Sequence, residues 1–211
     1  MFQMGWLSYW AIKLGCRDGC NFGNWQNMEF VSKAVELEPA NLGEAHTSIY
    51  RYWNEMRGGR VFPSWPEVDM MALPLAIVPW CSVVDVVEGG KDFIIRFWGT
   101  ERVRLLGVDY TGHRVSEFRS PDVSAKIQDE LSQVISEQRP LLVETMLSLS
   151  DMRGLEPTTF QVLRLPFGEK TDVNTILNAP QYPNDTQMLY EWFGAEVPLS
   201  VLSRRQAART V

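Results

Sequence analysis

Two β-branched and aromatic runs, residues 81–87 (CSVVDVV) and 92–100 (DFIIRFWGT), stand four residues apart, with Glu88, Gly89, Gly90 and Lys91 between them. Paired glycines between two such runs predict a β-hairpin, because glycine adopts the left-handed conformations that tight strand connections need. Along the second run Phe93, Ile95 and Phe97 share one face, and Ile94, Arg96 and Trp98 share the other. Neither face is polar throughout, so both need cover. A chain with this hairpin must extend it into a larger antiparallel sheet and supply helices to shield it.

The flanking segments offer both. Residues 46–57 (HTSIYRYWNEMR) place Ile49, Tyr52/Trp53 and Met56 at helical spacing, and Gly58-Gly59 follow. Thr100 is in position to cap a short helix ending at Gly107, with Val103 and Leu106 pointing inward. Ser120-Pro121 opens a longer helix with Pro at its first position. Val123, Ile127, Leu131, Val134 and Ile135 form its apolar stripe, with Lys126, Asp129, Glu130 and Glu137 on the wet side, and Arg139-Pro140 ends it. Residues 141–149, 158–165 and 171–179 read as three further strands, with turns over 151–156 and 167–170. The plan is α+β: a five-stranded antiparallel sheet, helices on one face and an N-terminal helical extension. Residues 1–45 form that extension, 46–180 the domain, and 181–211 a C-terminal segment with a basic tail. Met28 opens the first conventional stretch. It is either a natural translation start or the end of an aromatic arm that docks on a partner subunit.

A composition of 45% hydrophobic and 22% charged residues provides for a proper core. A formal net charge of −6 argues against a nucleic-acid or anionic-membrane surface. No apolar run reaches the roughly 18 residues of a membrane helix, and the N-terminus lacks the charge pattern of a signal peptide, so a cytoplasmic protein is expected. Cys16, Cys20 and Cys81 are an odd count and read as free thiols in a reducing compartment. No metal is expected, since only His46 and His113 could complete a site around Cys16 and Cys20.

The chain carries no G-x-S-x-G, H-E-x-x-H, Walker or G-x-G-x-x-G motif, and both histidines read as surface residues, so no catalytic residues are assigned. Asp85 sits within an apolar run, where it either becomes a buried acid or bonds a neighbour in the sheet. Arg96 and Arg164 lie mid-strand, where an unpaired charge is costly. Each is a salt-bridge partner for a carboxylate such as Asp69 or Asp85, or else an anion clamp for a ligand. Phe93, Ile95, Phe97, Val103, Leu106 and Val143 either line a small ligand pocket or close-pack. Tyr50, Tyr52 and Trp53 either pair two subunits or cover the sheet of their own chain.

The segments at 50–69, 73–87, 92–118 and 158–168 resemble a bacterial group of stand-alone PAS-domain proteins. The shared features are Arg57-Gly58-Gly59 after an aromatic helix, Pro63 and Asp69, Arg96 with Gly99-Thr100, and Gly107, Asp109, Thr111 and Gly112 in the return. The resemblance spans about residues 45–180. It implies a five-stranded sheet with a small helix-lined pocket, used for sensing or for pairing proteins, and no activity of its own. It also implies a homodimer through the aromatic flank, an unidentified small-molecule ligand, and a signalling protein as partner. Neither histidine is placed to bind haem and Cys81 is not placed for flavin photochemistry, so no cofactor is expected. The alternatives are a dimerisation scaffold with an empty core and a small-molecule enzyme of a related α+β cone fold.

Overall fold

The computed structural model describes residues 28–149, 157–182 and 189–190. The readings of the N-terminal arm, Cys16, Cys20, the 151–156 turn and the basic tail lie outside them. Nine main elements follow in order: β1 (Met28–Val35), α1 (Glu44–Arg57), β2 (Ser82–Val87), β3 (Asp92–Trp98), α2 (Thr100–Leu106), α3 (Pro121–Glu137), β4 (Leu141–Leu149), β5 (Thr158–Glu169) and β6 (Asp172–Gln181). The strands form one antiparallel sheet in the order β1-β4-β5-β6-β2-β3.

The hairpin forms as its glycines require, with Gly89 and Gly90 at φ 68° and 87°. The five expected strands are present. The sixth, β1, comes from the N-terminal extension, whose described part contains this strand, a single 3-10 turn and only the first two residues of α1. Residues 28–35 pair residue for residue with Leu142–Leu149. Their strand character is supplied by that neighbour, whose outer backbone groups would otherwise be a bare sheet edge.

The helices do not gather on one face. On one side, α3 presents Glu130 to Arg164 of β5, and α2 and α3 together cover β2 to β6. On the other, α1 buries Ile49 and Trp53, and Trp53 Nε1 donates to Pro166 O at 2.8 Å. Trp65 meets Phe167 edge-on at 5.1 Å on that same side. The reason lies in β5 itself. Val162 and Arg164 on one face and Leu163, Leu165 and Phe167 on the other are all buried, so each face demands its own cover.

Three local expectations need correction. Gly99, not Thr100, occupies the cap position of α2, and no side chain caps it. The Gly99 N–H is held by Cys81 O at 2.9 Å, in a spot too tight for a side chain. Strand β5 continues through Phe167 to Glu169, and the turn falls at Lys170 and Thr171 instead. Pairing to β6 and the Gly168 N–H bond to Pro63 O carry the strand through the apparent turn sequence. Glu130 is buried rather than wet, because its carboxylate is the partner of Arg164.

His46 is also buried, at 0% exposure, not on the surface. It shares the inner face of α1 with Ile49 and Trp53, and its Nε2–H donates to Ala179 O at 2.8 Å. Nδ1 is sealed without a partner. Burial holds the imidazole below its ordinary value of 6.5, against the smaller opposing effect of the backbone bond. The folded state therefore takes up its proton later than the unfolded chain as pH falls. Stability contributed by neutral His46 is complete above pH 6.5 and is lost as pH falls toward the folded-state value. Thermal melts between about pH 5 and 8 should show this decline in the wild type and a flatter profile in His46→Gln. Identical profiles would overturn the assignment.

Candidate functional site

Between the sheet and helices α2 and α3 lie two adjoining cavities of about 100 Å³ and 80 Å³. Both are lined by Phe30, Trp98, Arg102, Phe118, Ile127, Phe160 and Tyr182. The wall is built from the sheet upward. Val84 and Ser82 of β2 face the cavity, opposite Ile95 and Trp98 of β3. Thr145 of β4, Val162 and Arg164 of β5, and Asn178 of β6 continue it. Phe30 reaches it from β1.

A β-bulge decides which β3 residues take part. Val83 pairs with Phe97 and Val84 with Ile95, so Arg96 is an extra residue without a cross-strand partner. One extra residue reverses the alternation beyond it. Trp98 therefore joins Ile95 on the cavity side, whereas strict alternation puts it on the opposite face.

Of the six apolar pocket candidates, Ile95 and Leu106 line the cavities. Phe93 and Val143 are buried in the surrounding core, and Phe97 and Val103 are half-buried against it. Arg96 lies on the outer surface, where its Nη2 is 2.7 Å from Asp85 and its Nε donates to the same carboxylate at 3.0 Å. Its guanidinium rests 5.9 Å from the Trp65 ring. Asp85 is thus half-buried and paired, and an exposed pair of this kind contributes about 0–1 kcal/mol. Arg164 does border the smaller cavity, but Glu130 and Asn178 occupy its donors.

The aromatic flank is engaged within its own chain. Trp53 is buried, Tyr50 stacks on it at 6.1 Å, and Tyr52 Oη accepts from the Asp69 N–H at 2.9 Å. Cys81 is a buried free thiol donating to Ile77 O, pushed up to about 12 by burial. It is inert as a nucleophile.

The residue that local reading passed over is Arg102. It lies on α2 with Leu105 and Leu106 three and four positions on, and all three line the larger cavity. That spacing is present in the sequence, but an arginine on a short helix that also carries Glu101 and Arg104 reads as solvated. Here its guanidinium lies 4.0 Å from the Trp98 ring centroid. Nη1 donates to Trp80 O at 3.3 Å, and Nε is sealed with no partner. The neighbouring Glu101 is turned away, accepting from Arg104 and from Tyr190 Oη, each at 2.5 Å. Desolvation pulls the Arg102 guanidinium below its ordinary value.

This is an antiparallel α+β domain with a small apolar chamber between sheet and helices, and it holds a desolvated cation. A family model described as PAS domain matches residues 43–178, and the chain belongs to the PAS-domain family. PAS domains are generally non-enzymatic sensory or interaction modules in signalling. No curated protein and no solved structure matches the chain. Strand β1, which supplies Phe30 to the chamber, lies outside the matched residues. Among the described residues no helix is long and apolar enough to cross a membrane.

Proposed function

We propose that this protein is a non-enzymatic cytoplasmic sensor, with residues 46–180 as its PAS unit. It takes a small molecule into the α2–α3 chamber and reports occupancy to a signalling protein as a homodimer. The observation that carries this reading is the position of α2. One side of the helix contributes Arg102, Leu105 and Leu106 to the chamber. The same helix also binds Tyr190 through Glu101, and Leu105 packs with Leu189 and Tyr190. A ligand that prefers one placement of α2 thereby biases the chain beyond β6, which is the differential contact a conformational signal requires.

Native mass spectrometry of the protein purified from its own host tests the reading. A dimer carrying an adduct that is released on unfolding is expected. Protein that is ligand-free, and whose melting temperature no small molecule raises, would remove the sensory role and leave a scaffold.

A further inference from the structure

Two buried donors on the chamber wall have no acceptor. Arg102 Nε and Trp98 Nε1 are both sealed from solvent and without a hydrogen-bond partner. Both residues border both cavities. A buried donor left unsatisfied is costly, and more so when charged, so native structures retain such groups sparingly. The fully buried Arg164 on this wall shows the contrast, since Glu130 neutralises it, whereas Arg102 is half-buried with its Nε sealed. Arg102 forms no ion pair with a carboxylate among the described residues. Its closest partners are an indole face and one carbonyl at 3.3 Å.

Resting on the sensory reading above, we propose that the ligand is a small carboxylate with a flat apolar body. Its carboxylate accepts from Arg102 and from the Trp98 indole N–H. A guanidinium and an indole N–H are both donors only, so they select an acceptor, and the positive charge selects an anion. Phe30, Phe118 and Phe160 offer ring faces and edges to the body. At about 100 Å³ and 80 Å³ each cavity alone is smaller than the roughly 150 Å³ apolar cavity that holds benzene, so a single-ring ligand would span both, across the wall residues that they share. The ligand neutralises a charge that the empty protein keeps at a cost.

That cost separates this assignment from a structural role for Arg102. Titration calorimetry and thermal melts with benzoate and phenylacetate, against benzamide, benzyl alcohol and inorganic phosphate, test it. The two acids should bind and raise the melting temperature. The neutral analogues and phosphate should bind about tenfold or more weakly. Arg102→Met should melt higher than wild type without ligand and lose affinity for the acids by about tenfold or more. Trp98→Phe keeps a ring beneath the guanidinium, removes the N–H, and should lose affinity several-fold. Neutral analogues binding as tightly as the acids, with affinity unchanged in Arg102→Met, would overturn the carboxylate assignment and leave the sensory reading standing. So would phosphate matching the acids, or a ligand-free Arg102→Met melting below wild type. No response to any of the compounds, together with ligand-free protein in the native mass spectrum, would overturn both.

Discussion

Replacing Glu130 by glutamine is expected to destabilise the protein by about 3–5 kcal/mol, the cost of leaving a buried charge without its partner. Glu130 and Arg164 are 6% and 5% exposed, so neither has water to fall back on. Arg164 Nε donates to Glu130 Oε2 at 3.1 Å, Nη2 donates to the same oxygen, and Nη1 donates to Asn178 Oδ1. Ser32 Oγ donates to the other Glu130 oxygen. One carboxylate on α3 therefore ties β1 to β5 and, through Arg164 and Asn178, to β6. Glutamine keeps the shape but leaves the guanidinium uncompensated. Set against a typical total of about 5–15 kcal/mol, that loss is about a fifth of the stability or more. The double variant Glu130→Gln/Arg164→Met should recover most of it, because an apolar replacement of a whole buried pair is often neutral or stabilising. Urea denaturation of the three variants measures both effects. A loss below about 1 kcal/mol in the single variant would mean that solvent reaches the pair. Hydrogen exchange should also show β1 opening more readily, since its Ser32 anchor is weakened.

The second large effect is expected at Gly99, where alanine should cost about 1–3 kcal/mol, the usual range for forced overpacking. A Cβ there would stand 2.1 Å from Pro79 O and 2.8 Å from Cys81 O, both backbone atoms that cannot swing aside. The backbone angles, φ −59° and ψ 146°, are ordinary for any residue. The penalty is therefore one of space and not of conformation. Relief requires the 78–81 turn to move away from the β3–α2 junction. That turn carries Trp80 O, the acceptor for Arg102, so the displacement reaches the chamber. Thermal melts of Gly99→Ala against Gly59→Ala provide the comparison, since a Cβ on Gly59 meets nothing within 4 Å. Equal melting temperatures would show that the turn gives way freely.

Both positions bear on what was legible from the residues. Gly99 is visible as a glycine between strand and helix, but its reason, contact with a turn eighteen to twenty residues earlier, is not a local property. Glu130 follows Asp129 on a helix with an obvious apolar stripe, and nearest-neighbour reading sends both to water. Only the approach of Arg164, thirty-four residues on, makes its burial favourable. The same holds for Arg102. Its spacing to Leu105 and Leu106 marks a shared face, while the chamber that face looks into is assembled from all six strands.

The sequence by itself determined the hairpin at 81–100, the capped helix at 121–137, the three closing strands and the antiparallel α+β plan. These follow from backbone preference, side-chain period and capping chemistry, which act within a few residues. Only the tertiary structure decided the sixth strand, the division of helices between two faces, and the bulge at Arg96 that turns Trp98 into the chamber. It also decided which arginine is neutralised and which is left facing a cavity. Strand registers and buried charges are settled by partners distant in the chain. The free energy of satisfying a donor or filling a face exists only once those partners have met.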